Sequence, residues 1–330
     1  MLVRSCSRVG EPAAPGYHGG VSRDVLVELV AAAAPREGPN ATALPQVRTI
    51  RVSGPRPRMP VIYEPCLVIV AQGRKTAYVA ERALSYDPEQ YLVLSVPLPV
   101  ECEIEAAPGR PYLAVVVMLD PAVVREVVLQ ADDESDTDEV HPVIEVSTLT
   151  PALRDTAVRL LRALADPTDA RVLGPLCIRE LLYRVSRGPQ GELLRTLALG
   201  RGASRRIARV LDLIHARYDE ALDVASLARA AHLGVSTFHH AFKAATSMSP
   251  LQYVKTVRLH QARSLMLHGE LTAEEAGYRV GYRSPSHFSR EFKRLFGRPP
   301  REELQRLRSS DDVMPVAQAS LGMAGGGGGG

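Results

Sequence analysis

A chain of 330 residues has room for two domains, and its charged fraction of 23% and hydrophobic fraction of 45% are those of a folded globular protein rather than a fibrous or disordered one. No apolar run reaches membrane length, and the first 20 residues lack the apolar core of a secretory signal. The net charge of +3 conceals an asymmetry: residues 201–310 hold 19 Lys and Arg against 10 Asp and Glu, whereas the first 200 hold 21 against 25. That balance points to a polyanion as partner of the C-terminal half alone.

Residues 1–20 read as a flexible extension or an over-extended start. Strand-like segments follow: VRTIRV (47–52), CLVIVA (66–71), KTAYVA (75–80), YLVLSV (91–96), VECEIE (100–105) and YLAVVVML (112–119). They are rich in Val and Tyr and are separated by Gln72-Gly73, Asp87-Pro88 and Pro108-Gly109, so a small barrel or sandwich is expected. VECEIE alternates strictly, which places Val100, Cys102 and Ile104 on a buried face and three glutamates on the other. Asp120-Pro121 then opens a helix, with Asp as N-cap and Pro in the first turn. The acid-rich segment 131–139 reads as a solvated loop, because six like charges repel and no glycine sets a calcium-type turn.

From Thr150-Pro151 to about Leu199 the period becomes helical. Leu153, Leu160, Leu161 and Leu164 line one face, and Ile178, Leu181, Leu182 and Val185 another, with a break at Gly188-Pro189. These helices are expected to cover the strands or to pair with a second subunit. Ile207, Val210, Leu211, Ile214 and Tyr218 then form a new stripe after Arg201-Gly202.

The C-terminal half contains one pattern twice. GVSTFHHAFKAATSMSP (234–250) and SPSHFSREFKRLFGRPP (284–300) align at an offset of 50, whereas LARAAHL (227–233) and AGYRVGY (276–282) align at 49. A short helix of small residues, a turn and a helix with aromatics four apart make a helix-turn-helix, and the second copy carries one extra turn residue. Between them Ser249-Pro250 starts a helix expected to end at His268 before Gly269. Its 19 residues span roughly 28 Å, close to the ~34 Å between major-groove faces of a duplex.

The segments FHHAFK, MSPLQYVKTVRLHQAR (248–263), VGYRSPSHFSREFKRLFG (280–297) and Pro299-Pro300 resemble the DNA-binding domain of AraC/XylS-family transcriptional regulators. YEPCLVIVAQGRK (63–75), LSYDPEQYLVLSVPLPV (84–100) and RPYLAVVVMLD (110–120) are similar to the cupin-like domain of one branch, and ELLYRVSRGPQGELLRTLA (180–198) to its connector. The resemblance implies an α+β chain. A cupin-like effector barrel is expected over 21–148, a helical connector with a dimerisation role over 149–200, and a double helix-turn-helix reader over 201–308; the tail, 309–330, should be disordered. It further implies a cytoplasmic, sequence-specific regulator, an activator, with double-stranded DNA, RNA polymerase and a small effector as partners. Two departures stand out: Gly234 replaces the usual Ser cap, and Ala276-Gly277 replaces Ile-Ala, at a helix cost of about 1 kcal/mol for Gly.

The spacing of Phe238, Phe242, Phe288 and Phe292 assigns them to the core, so the opposite faces must meet DNA. Carried over by position, Ser236, His239, His240, Ser286 and Arg290 match base-contacting positions. Thr237, Lys243, Ser289, Lys293 and Arg294 are expected at phosphates. Lys255, Arg258 and Arg263 on the connecting helix serve either phosphates or their own domain.

Cupins are often metal oxygenases, but no histidine lies between Val47 and Leu119, so no metal, cofactor or enzymatic activity is expected. The effector-binding residues are not assigned by this reading. Cys66 and Cys102 read as inert buried thiols, with redox or electrophile sensing as the alternative. A DNA-repair protein using the same reader, and an architectural binder without effector, are the alternative functions. Scattered cysteines argue against the first, which needs a zinc-binding cluster.

Overall fold

A computed structural model describes residues 23–131, 140–198, 202–269 and 271–309. The extension over 1–20, the tail beyond 309 and all but Ala131 of the acid-rich segment lie outside the described residues.

The N-terminal half begins with α1 (Arg23–Ala33), which the strand pattern did not reveal. Ten strands follow: β1 (Gly38–Ala41), β2 (Val47–Val52), β3 (Arg56–Tyr63), β4 (Cys66–Gln72), β5 (Arg74–Val79), β6 (Arg82–Tyr86), β7 (Gln90–Leu94), β8 (Leu98–Glu105), β9 (Tyr112–Met118) and, after the helix α2 (Pro121–Gln130), β10 (Ile144–Thr148). They form a six-stranded sheet in the order β1-β2-β9-β4-β7-β10 and a four-stranded sheet in the order β3-β8-β5-β6, and neighbouring strands pair antiparallel. The two sheets face each other as a flattened barrel around Val68, Leu92, Leu94, Val100, Ile104 and Val116.

The strands fall into two kinds. β8 is half-buried, with Val100, Cys102 and Ile104 inside and Glu101, Glu103 and Glu105 outside, as its alternation requires. β4 and β9 are buried on both faces, because helices cover the outer side of the six-stranded sheet. Continuous apolar runs such as CLVIVA and YLAVVVML are the signature of that double burial. The covering layer is α1, α2, α3 (Pro151–Ala163), α4 (Pro167–Ser186) and α5 (Gly191–Ala198), packed on Leu67, Ile69, Leu113, Val115 and Val117. Leu153, Leu160, Leu161, Ile178, Leu181, Leu182 and Val185 are all buried there. Asp120, Thr150 and Asp166 cap α2, α3 and α4 with their side chains, each followed by proline.

The C-terminal half is all helix: α6 (Gly202–Ala216), α7 (Val224–Ala230), α8 (Val235–Thr246), α9 (Pro250–His268), α10 (Ala273–Arg279), α11 (Pro285–Phe296) and α12 (Pro300–Ser309). Ser249 caps α9, and Gly269 closes it with its N–H on the carbonyl of Leu265. Gly269 is extended rather than left-handed, so it stops the helix without the usual glycine turn. Among the described residues no helix is long and apolar enough to cross a membrane.

The two halves meet along α9. The Tyr253 hydroxyl donates to the carbonyl of Pro97 at 2.5 Å and accepts from His215 Nε2 at 2.8 Å. A hydroxyl has one proton, so this arrangement requires the Nε2–H tautomer of His215. Burial pushes the His215 pKa down to about 4, which keeps the ring neutral near pH 7. Arg263 Nη1 donates to the carbonyl of Pro60 at 3.3 Å and pairs with Glu303 at 3.6 Å. The N–H of Val143 reaches the carbonyl of Ala245 at 3.2 Å.

Candidate nucleic-acid interface

α7 and α8 form the first helix-turn-helix unit, α10 and α11 the second. The turns are residues 231–234 and 280–284, so the extra residue read from the two offsets lies in the second turn. Both first helices begin with a capping box, Asp223 with Ser226 and Thr272 with Glu275. The second helices differ. Gly234 caps α8 with no side-chain bond, whereas Ser284 Oγ accepts from the N–H of His287 at 3.3 Å and Pro285 follows.

The longer turn requires a glycine. Gly281 has φ +91°, and a Cβ there would lie 2.8 Å from the carbonyl oxygen of Asp219. Gly277 answers a different need. A Cβ on it would lie 3.0 Å from the Phe288 ring, so the glycine makes room for that ring between α10 and α11. The departure that looked costly for the helix is therefore a packing requirement.

Phe238, Phe242, Phe288 and Phe292 are fully buried, as their spacing predicts. Phe238 and Phe242 lie 5.5 Å apart, and Phe242 meets Tyr253 edge-on at 5.5 Å. In the second unit Phe288, Phe292 and Phe296 form a ladder with spacings of 5.5 and 4.4 Å. These rings turn the opposite faces outward. On α8, Ser236, Thr237, His239, His240 and Lys243 are exposed; on α11, Ser286, Arg290, Lys293 and Arg294 are exposed and Ser289 is half-buried. The structure thus leaves nine of the ten candidate residues exposed and Ser289 half-buried, on the faces of α8 and α11 that turn away from the buried phenylalanines.

Their charges are not equally free. Glu291 accepts ion pairs from Lys255 at 2.6 Å and from Arg294 at 2.8 Å, and these cations hold its carboxyl below the usual range. Arg294 is thus tied to Glu291 through its guanidinium, although 70% of its side chain is exposed. Arg290, Lys243 and Lys293 make no ion pair with a described residue.

The basic residues of the connecting helix have partners within the protein. Lys255 holds α11 through Glu291, and Arg258 donates 2.6 Å hydrogen bonds to the carbonyls of Tyr218 and Glu220. Arg263 serves Glu303 and the barrel. All three therefore position the units within the protein. Sequence reasoning missed Glu291 and Glu303, because an acid among basic residues carries no signal until its partners are placed.

Two helix-turn-helix units joined by one 19-residue helix define a bipartite helix-turn-helix protein. Both halves of the chain resemble known proteins. Residues 43–193 match the AraC-type transcriptional regulator N-terminus, and residues 227–306 match a helix-turn-helix domain. Across these two regions the chain is similar to AraC-type transcriptional regulators. It is 30% identical over 138 residues to the HTH-type transcriptional activator RhaS of Yersinia pestis, a span covering 42% of this chain and 48% of that protein. RhaS of Yersinia pseudotuberculosis is 33% identical over the same length. The matched region is thus about half of each curated relative. Apo ToxT from Vibrio cholerae shares the fold, with a TM-score of 0.52 and 10% identity over 82% of this chain and 99% of that one. ToxT bound to unsaturated fatty acid gives a TM-score of 0.50 at 12% identity, over 78% and 94% of the two chains.

Proposed function

We propose that the chain is a cytoplasmic, sequence-specific activator of transcription and not an enzyme. Residues 201–308 read one face of a duplex, the barrel within 21–148 takes a small effector, and RNA polymerase is the protein partner. The observation that carries this reading is the pairing of two polar outer faces, on α8 and α11, with a 19-residue helix between them. Ser236, His239, His240, Ser286 and Arg290 face base edges. Thr237, Lys243, Ser289, Lys293 and Arg294 face phosphates, Arg294 with Glu291 as its support. The fatty acid in one ToxT structure supports an effector in this fold.

The connector 149–200 supplies a surface for a second copy. Val172, Leu176 and Tyr183 are 60%, 60% and 49% exposed at spacings of four and seven on α4, an apolar stripe beside the layer that covers the sheet. Sedimentation of Val172→Glu/Leu176→Glu against the unaltered chain tests it, and an unchanged mass excludes this stripe as the contact.

Binding to a randomised operator library at two salt concentrations tests the reader. Arg290→Ala should cost about 1–3 kcal/mol at one base-pair position and relax its preference. Lys243→Ala should weaken all sequences alike and reduce the salt slope by about 1. A uniform loss across sequences for Arg290→Ala would make it a phosphate clamp.

A further inference from the structure

A cleft of about 680 Å³ runs between the two helix-turn-helix units. One side is the segment 219–222 that precedes α7, and another is α9 with Leu251 and Lys255. The third belongs to the second unit, with Tyr282 and Arg283 of its longer turn and His287 of α11. An α-helix turns about 100° per residue, so His287 stands about 60° from Arg290, at the border of the outward face of α11. The cleft therefore adjoins the face assigned to base reading.

The polar groups of the cleft are unequally committed. Glu291 holds Lys255 at 2.6 Å, and Arg258 is spent on two backbone carbonyls at 2.6 Å. Arg283 is exposed and makes no hydrogen bond or ion pair with a described residue. His287 is exposed too, with its ring edge-on to Tyr282 at 5.6 Å. Tyr282 is 8% exposed, and its hydroxyl is buried without a hydrogen-bond partner, a costly arrangement. Burial, with Glu291 nearby, pushes its pKa up to about 12, so the hydroxyl keeps a proton to donate. Beside these donors Leu251 and Tyr278 present apolar surface, 53% and 51% exposed.

A DNA strand alternates the same two characters, apolar deoxyribose and an anionic phosphate about every 3.4 Å. A protein with helices in two successive major grooves straddles the minor groove and the strands that border it. Residues between its two units meet backbone there, not major-groove base edges.

We propose that this cleft seats the sugar-phosphate backbone of DNA between the two half-sites. Arg283 and His287 hold a phosphate, the Tyr282 hydroxyl donates to it, and Leu251 and Tyr278 lie against deoxyribose. The first unit has no equivalent cation, since its shorter turn ends in Leu233 and Gly234. Asp219, across the cleft, makes no ion pair with a described residue and opposes the phosphate. The proposal rests on the reading of the chain as a two-headed DNA reader and adds a third contact between the heads.

The test uses the full chain and the duplex sequence that it enriches from a randomised library. That duplex is made twice, with natural backbone and with uncharged methylphosphonates between the two parts of the enriched sequence. The unaltered chain should bind the second about tenfold more weakly. Arg283→Ala should lose about tenfold on the natural duplex, enrich the same sequence and lower the salt slope by about 1. The two losses should not add, because they remove the two partners of one contact. His287→Ala should act in the same direction and less. Tyr282→Phe should lose a few-fold without loss of Tm, since it discards an unpartnered hydroxyl. Asp219→Asn should bind all sequences a few-fold more tightly, a gain that misfolding cannot produce. The proposal is overturned if the methylphosphonate duplex binds as well as the natural one, or if its loss and that of Arg283→Ala add in full. A chain that enriches no sequence overturns the regulator reading as well. A chain that enriches a two-part sequence and ignores the backbone between the parts overturns this proposal alone.

Discussion

In the first helix-turn-helix unit, Phe238 and Phe242 pack toward Tyr253, whose hydroxyl reaches the barrel at Pro97. In the second, Phe288, Phe292 and Phe296 stack on one another and on Tyr282. The buried residues of the first unit run on into the interior of the barrel, while those of the second form a cluster of their own. The second unit is tied to the barrel through the connecting helix, where Arg263 lies over the Phe296 ring and donates to the Pro60 carbonyl. One sequence motif, used twice, is therefore supported in two ways: the first unit by another domain, the second by its own aromatics.

The sharpest way to break this comparison is to remove a ring from each. Phe242→Ala and Phe292→Ala should each cost about 3–5 kcal/mol. Calorimetry should show Phe242→Ala lowering the transition of the barrel as well, and Phe292→Ala lowering only part of the unfolding. Identical thermograms for the two variants would refute the asymmetry.

Acid should act next in size, on the first unit's seam. His215 is held near 4, below its unfolded value of about 6.5. The unfolded chain therefore takes up the proton first. Stability from this group is complete above about pH 6.5 and falls toward pH 4, with about 2 kcal/mol gone by pH 5. Burial also lowers His260 beside Phe296, which adds a loss of the same sign. Urea unfolding at pH 7 and pH 5 measures the slope, and His215→Gln should flatten it.

Gly277→Ala should be smaller and is unfavourable only because of its neighbour. Alanine gains about 1 kcal/mol of helix propensity, and overpacking costs about 1–3. Phe288 is fixed between Tyr282 and Phe292, so a net loss of about 1 kcal/mol is expected, read from the second unit's part of the thermogram. A stabilised variant would show that Phe288 can move aside.

The caps should give the smallest effects. Ser284→Ala removes a side-chain acceptor at about 1 kcal/mol, and Gly234→Ser should add a few tenths at a position with open space around it. If both changes leave urea midpoints unaltered, the caps do not distinguish the units.

Much of this was legible in the sequence because it depends on local periodicity. The inward faces of VECEIE, the phenylalanines four apart and the Asp, Thr and Ser caps before proline follow from spacing alone. What was not legible depends on contacts distant in sequence. Lys75 opens KTAYVA at an inward position of a period-two strand, yet strand ends often carry lysine at the surface. Gly277 was read as a weakness because its partner lies eleven residues on, across a turn. Arg258 and Lys255 looked equally suited to phosphate until carbonyls and Glu291 were placed beside them.

The bond from Tyr253 to Pro97 also bears on modularity. A reader grafted onto a foreign sensor would keep its recognition faces but lose the carbonyl that its connecting helix expects. Tyr253 and His215 would then open onto whatever surface the new sensor presents. Chimeras of this chain should transfer the segment around Pro97 together with the helices, and a hybrid lacking it should be repaired more readily at that seam than in either parent's interior.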